Sequence, residues 1–280
     1  MITKTQENNL NNWFHQYIKT FQSRDWKIQR NIDLKYEHIL KVRDIIIDIA
    51  GSEGLTGDQI RLAGIMALFH DIGRFKQYTI YRTFVDRKSE NHALLGLQEL
   101  KKNNVLNILE NDDRSLILTA IANHNRKEIL PETTGKALFY SRLLRDADKI
   151  DIWRVVIDYY EDPEAEPNKA LQLDLPDTPD YTFAILREVE NGKSIRMEDM
   201  ITLNDFKLLQ ASWIFDLSYT KSFEIVKKRH YVERLFAVLP NDEPIRKLKW
   251  KILSYIYSKI TTAQRPMENL TQKIYEKFPV

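Results

Sequence analysis

The chain has 280 residues, 43% of them hydrophobic, which suffices for one large core or two modest ones. Lys and Arg total 42 against 40 Asp and Glu, a formal net charge of +2 that argues against a strong electrostatic footprint for nucleic acid and against a disordered acidic tail. There is no cysteine, so disulfide scaffolds and thiolate zinc sites are excluded, leaving His, Asp and Glu as the strong metal ligands.

Residues 1–12 are polar and lack the apolar core of a signal peptide, and no stretch is apolar for long enough to cross a bilayer. A soluble, cytoplasmic protein is therefore expected. With 8 glycines and 9 prolines as punctuation, the helices should be long. Trp13, Phe14, Tyr17, Ile18 and Phe21 recur at helical spacing as the buried face of a first helix, with His15 off that stripe and expected at the surface. The spacing predicts a second helix over 31–50, with Leu34, Ile39, Val42, Ile45, Ile46 and Ile49 as its apolar set and His38 among them. Gly51, Gly54 and Gly57 mark a loop, and Thr56 or Asp58 is placed to cap the next helix.

That next helix, over 60–74, is an apolar run ending in His70-Asp71-Ile72-Gly73-Arg74. A histidine and an aspartate at the inner end of such a helix are costly to bury unless a partner satisfies them. Residues 74–90 are mixed and aromatic, a loop or short helix with Tyr78, Tyr81 and Phe84. Helical patterning returns over 91–103, opening on His92, and over 116–123, delivering His124. Pro131 and Gly135 bracket a turn before a long helix over 136–159 that carries Asp146, Asp148 and Asp151.

Four prolines and several acids make 161–180 an irregular connector. The remainder, 181–280, is helical again, with Phe206, Leu209, Trp213, Leu217, Trp250, Ile252, Tyr255 and Ile256 as core candidates. Its one histidine, His230, adjoins Lys227, Lys228 and Arg229, a run that reads as a solvated face rather than a phosphate site. No repeat, low-complexity tract or strand pattern emerges, so the fold class is all-α.

His38, His70, His92 and His124 each arrive on a different predicted helix, with Asp71 beside the second and an acidic cluster after the fourth. A helical bundle can project such residues onto one point. Imidazole with carboxylate and no sulfur suits a divalent transition metal such as Mn, Fe, Co, Ni or Zn. Four imidazoles and two carboxylates exceed the needs of one tetrahedral ion with an open position. Two ions sharing Asp71 would use them all.

The order His38, then His70-Asp71 before Ile72-Gly73, then a distal aspartate resembles the HD-domain superfamily of metal-dependent phosphohydrolases over roughly 38–153. The resemblance implies an HD helical core over 1–160, with additional helices over 181–280 packed on it as one unit. It implies that His38, His70, Asp71 and an aspartate of the later cluster bind metal. Asp148, in its Ala147-Asp148-Lys149 setting, is the better match and Asp146 the alternative. The segments His92-Ala93-Leu94-Leu95-Gly96 and Ile121-Ala122-Asn123-His124 resemble the extra ligands of binuclear members, among them HD-GYP cyclic-dinucleotide phosphodiesterases and dinucleoside-polyphosphate hydrolases. The chain departs from the HD-GYP pattern after His124, where Asn125-Arg126-Lys127-Glu128 replaces a second histidine, a glutamate and a Gly-Tyr-Pro element.

The expected activity is hydrolysis of a phosphoester or phosphoanhydride of a small, nucleotide-like substrate, with one or two metal ions. Such ions lower the pKa of water and neutralise charge on phosphoryl oxygens. Asp71 would bridge two ions, Asp148 would ligate one and help orient the nucleophile, and Arg74 would contact phosphate or form a salt bridge. Lys149 reads as solvated in preference to phosphate-binding, while Arg126 and Lys127 are weaker phosphate candidates. No membrane or nucleic-acid partner is expected, and a homo-oligomer stays open. Two other readings fit the same donors: a non-enzymatic metal- or nucleotide-binding sensor or scaffold, and di-iron oxygen chemistry.

Overall fold

A computed structural model of the chain describes residues 2–193 and 195–263, and within them it is helical without a strand. The first part runs α1 (Lys4–Lys19), α2 (Trp26–Ser52), α3 (Gly57–Phe69), α4 (Ile72–Tyr81), α5 (His92–Lys102), α6 (Asn111–His124) and α7 (Gly135–Glu161). Beyond it come the short α8 (Lys169–Gln172), then α9 (Phe183–Glu190), α10 (Leu203–Ser212), α11 (Thr220–Lys228), α12 (Tyr231–Ala237) and α13 (Glu243–Ala263). The last part of the region expected to be helical, 264–280, lies outside the described residues. None of the described helices is long and apolar enough to cross a membrane.

The helix α3 is the axis of the fold. Every residue from Leu62 to Phe69 is buried, the mark of a helix surrounded on all sides. It starts on a capping box in which Thr56 and Gln59 satisfy each other's free backbone groups, so Thr56 and not Asp58 is the cap. Asp58 instead pairs with Arg61 in the first turn. Helices α2, α6 and α7 pack around this axis, and α1 closes one side with Phe14 and Ile18 buried. Trp13 stacks on Tyr17 with ring centroids 4.9 Å apart. His15, expected at the surface, is half-buried, its Nδ1 3.3 Å from the Tyr36 hydroxyl.

Helix boundaries extend past the apolar periodicity where the added turns are polar. Helix α2 begins at Trp26 because Asp25 accepts the Lys27 amide as N-cap, and α6 begins at Asn111 with Asp112 and Asp113 favourably placed at the positive end of its dipole. The mixed segment after His70 resolves into α4 and a 3₁₀ turn, Asp86–Lys88.

Helices α4 and α5 cross where Gly73 meets Gly96. A Cβ on Gly73 would lie 2.2 Å from the His92 carbonyl oxygen and 2.6 Å from the Gly96 nitrogen, so only glycine permits this approach. The close crossing sets where the first turn of α5, and with it His92, stands.

Helices α11 and α12 lie against α7, and α11 also touches α2. Phe206, Leu209, Leu217, Ile252 and Ile256 are buried as the spacing predicts, while Trp213 and Tyr255 are half-buried against the core. Trp250 is a correction: it is 70% exposed, because the buried stripe of α13 runs through Ile245, Leu248, Ile252 and Ile256 and leaves position 250 on the outer face. The basic run 227–230 is exposed.

Candidate metal centre

Four helix ends and two helix middles build the site. Successive residues on a helix point about 100° apart, so His70 and Asp71 could not both face one point from an unbroken helix. The chain solves this by ending α3 at Phe69 and starting α4 at Ile72, with Asp71 at φ −105°, ψ 14° between them. His92 opens α5 and His124 closes α6. His38 projects from the middle of α2 toward α7, where Asp148 and Asp151, one turn apart, receive its two ring nitrogens.

Each imidazole has its Nδ1 hydrogen committed to the protein. His38 donates to Asp151 at 2.8 Å, His70 to the Ala67 carbonyl at 2.7 Å, His92 to Asp86 at 2.8 Å and His124 to the Ile121 carbonyl at 2.7 Å. The acceptors carry no proton, so in every neutral ring Nε2 is a bare lone pair. Those lone pairs converge. His92 Nε2 and His124 Nε2 are 3.0 Å apart, and His70 Nε2 is buried with no hydrogen-bond partner among the described residues.

The two carboxylates sit among these nitrogens. Asp71 turns one oxygen to each half of the cluster: Oδ2 is 3.6 Å from His38 Nε2 and 3.8 Å from His70 Nε2, while Oδ1 is 3.3 Å from His92 Nε2 and 3.6 Å from His124 Nε2. Asp148 Oδ1 lies 3.1 Å from His38 Nε2 and 3.5 Å from His70 Nε2. Three overlapping triads have ligand atoms within 4.8 Å of one another: His38 with His70 and Asp71, His70 with His124 and Asp148, and Asp71 with His92 and His124.

Burial opposes ionisation of both carboxyls, yet Lys35 beside Asp71 and the imidazoles beside Asp148 hold each well below the usual carboxylate range. Burial, aided by the Arg74 charge, pushes His92 down to about 3, so that ring is neutral. For His38, burial and Lys35 act downward, but its hydrogen bonds to Asp148 and Asp151 carry it above its ordinary value. Where a ring is neutral, as His92 is, its Nε2 lone pair repels the lone pairs and ionised carboxylates that it faces, whereas in metal-free His38 a proton on Nε2 bridges to Asp148. A divalent cation turns that repulsion into ligation, and the donor set of nitrogen and oxygen suits a transition metal.

Residues 36–153 match the family model described as the HD domain. The chain carries an HD domain. Searches of curated proteins and of solved structures found no match. The HD domain spans every residue of the cluster, from His38 on α2 to Asp151 on α7, and its superfamily is one of metal-dependent phosphohydrolases.

Of the aspartates weighed in the sequence, Asp148 joins the cluster and Asp146 does not. Asp146 accepts the Ser218 amide at 2.9 Å, the Tyr219 amide at 3.1 Å and the Ser222 hydroxyl at 2.7 Å, all from the C-terminal half. Arg74 lies at the rim, with Nε 3.5 Å from Asp71 Oδ1 and Nη1 donating to Gln77, the Phe84 carbonyl and Asp86. Lys149 is a correction: it is buried, not solvated, with Nζ 2.7 Å from Asp216, a partner too distant in the chain for spacing to disclose. Arg126 and Lys127 are exposed on the loop after α6.

Two participants escaped the sequence reading. Asp86 orients His92 from a 3₁₀ turn that has no periodicity to mark it. Lys35 places Nζ 2.8 Å from Asp71 Oδ2, and its position one helical turn before His38 was a signal in plain view.

Proposed function

We propose that this HD-domain protein is a metal-dependent phosphohydrolase that cleaves a phosphoester or phosphoanhydride of a small, nucleotide-like substrate. The observation that carries the reading is the convergence of four buried imidazoles, each with its Nδ1 hydrogen spent elsewhere, on two ionised carboxylates. In this reading His38, His70, Asp71 and Asp148 hold one divalent ion, and Asp71, His92 and His124 hold a second. Ions bound there lower the pKa of water and neutralise charge on phosphoryl oxygens.

The protein's own groups do the rest. Asp71 spans the two halves through its two oxygens, and Asp148 orients the attacking water. Asp151 and Asp86 fix the ring orientation of His38 and His92, the support that ligating imidazoles require. Lys35 is a compact ammonium on a flexible stem, able to turn from Asp71 to a phosphoryl oxygen. Arg74 has its fork engaged by Asp71, Asp86 and Gln77, so it holds the rim on which substrate rests. The likeness of the His92 and His124 segments to binuclear HD proteins supports a nucleotide or dinucleotide as substrate.

Phosphate release from a panel of nucleotides and dinucleotides, assayed with Mn²⁺, Co²⁺, Ni²⁺, Fe²⁺ or Zn²⁺, tests the reading. Turnover of at least one substrate is expected, and Asp71→Ala and His70→Ala should abolish it while leaving helix content intact. Full activity in either variant, or tight nucleotide binding with no turnover under any metal, would contradict it.

A further inference from the structure

Helix α7 faces two ways. Asp148 and Asp151 look toward His38, while Arg145, Asp146 and Lys149 are buried against the segment 216–222, the end of the connection from α10 and the first turn of α11. The Arg145 guanidinium does two jobs. Nη1 donates to the carbonyls of Asn123 at 3.1 Å, His124 at 3.3 Å and Arg126 at 2.5 Å, and Nη2 donates to the Lys127 carbonyl at 3.2 Å. It thereby satisfies carbonyls that the end of α6 leaves without intrahelical partners, and it places a cation at the negative end of that helix. His124 is the last residue of α6.

A buried guanidinium beside a buried ammonium needs a counter-ion. Arg145 Nη2 lies 2.6 Å and Lys149 Nζ 2.7 Å from the same oxygen, Oδ2 of Asp216. Asp216 is held in place by its neighbours, since the amides of Ser218 and Tyr219 are anchored on Asp146. Beside this knot is a cavity of about 340 Å³ whose walls include Glu128, Leu130, Arg142, Arg145, Asp216 and Ser218. It is room into which Arg145 can swing if its anchor is lost.

We propose that Asp216, outside the HD domain, is a positioning residue for His124. Through Arg145 it fastens the end of α6 and the loop 125–127, and so holds the His124 ring against Asp71 and His92. Lys149 is neutralised by the same carboxylate, which keeps two like charges from prising the helices apart. The C-terminal half thus completes one side of the metal centre without supplying a ligand. The assignment rests on the metal-centre reading for its consequence, but the latch itself is independent of any ion.

Amide hydrogen exchange of the full-length chain without metal, with a Co²⁺ titration in parallel, tests the latch. In Asp216→Asn the amides of 121–128 should exchange about tenfold faster or more, with α2 and α3 at wild-type rates. Binding of the ion at Asp71, His92 and His124 should weaken about tenfold or more, with the ion at His38, His70 and Asp148 little changed. Asp216→Glu should restore both. Should Asp216→Asn not fold, Arg145→Lys keeps the charge pair but cannot reach all the carbonyls, and should give the same local loosening. Unchanged exchange at 121–128, or an increase spread evenly over the chain, would overturn the proposal. Wild-type protein that takes up no metal would overturn the metal-centre reading while leaving the exchange result to decide the latch.

Discussion

At the scale of single residues, the decisive chemistry is where each imidazole keeps its proton. Asp151 accepts from His38 Nδ1 and is itself held ionised by that ring and by Arg154, whose Nε lies 2.7 Å away. Asp151→Asn would present an amide hydrogen to Nδ1, favour the other tautomer and aim a hydrogen instead of a lone pair at the site. Metal affinity at the His38 half should fall about 10–100-fold, read by Mn²⁺ or Co²⁺ titration, with helix content preserved. Unchanged affinity would show that the ring finds its tautomer without Asp151. The six residues His38, His70, Asp71, His92, His124 and Asp148 were legible in the sequence because polar groups in or beside apolar helical runs stand out. Asp86 was not, since an acid in a short irregular turn looks like any surface acid until the fold brings it to His92. Asp146 and Asp148 were indistinguishable by spacing. The Ala147-Asp148-Lys149 setting favoured Asp148 by resemblance, and the segment 216–222, brought in from far along the chain, shows what holds Asp146 elsewhere.

At the scale of elements, two contacts govern the site. The Gly73–Gly96 crossing brings α5 so near α4 that Gly73→Ala must push the first turn of α5 away. The overpacking should cost about 1–3 kcal/mol and displace His92. Calorimetry should show the lower stability and metal titration the weakened half, whereas wild-type values in both would contradict the assigned role of the crossing. The second contact is Asp146 with 218–222. Burial pushes its carboxyl up to about 6 in spite of three hydrogen bonds. An acid whose native pKa exceeds its unfolded value binds protons more readily when folded, so its contribution to stability is full below about pH 4 and is lost as pH rises through about 6. That slope corresponds to about 3 kcal/mol. Unfolding free energies measured from pH 4 to 7 should carry it in wild type and lack it in Asp146→Asn, and parallel profiles would refute it. Helix identity was readable from apolar spacing, but helix ends were not: the first turns of α2 and α6 are polar and are fixed by caps and dipole effects that leave no hydrophobic trace.

At the scale of the whole molecule, the helices that follow pack against the HD domain: α11 and α12 lie on α7, and the segment before α11 neutralises its buried cations. Metal binding should feed back on the entire chain. A ligand present at 100 times its dissociation constant stabilises the folded state by about 2.7 kcal/mol, so chelation should lower the melting temperature and readdition of metal should restore it. No shift on chelation would speak against a site formed only in the folded protein. The most direct test of the central claim is the metal content per chain, by elemental analysis of protein purified without chelator or affinity metal. The account predicts about two equivalents of a divalent transition metal in wild type and a clear loss in Asp71→Ala, since Asp71 serves both halves. No bound metal in wild type, even after reconstitution, would contradict it.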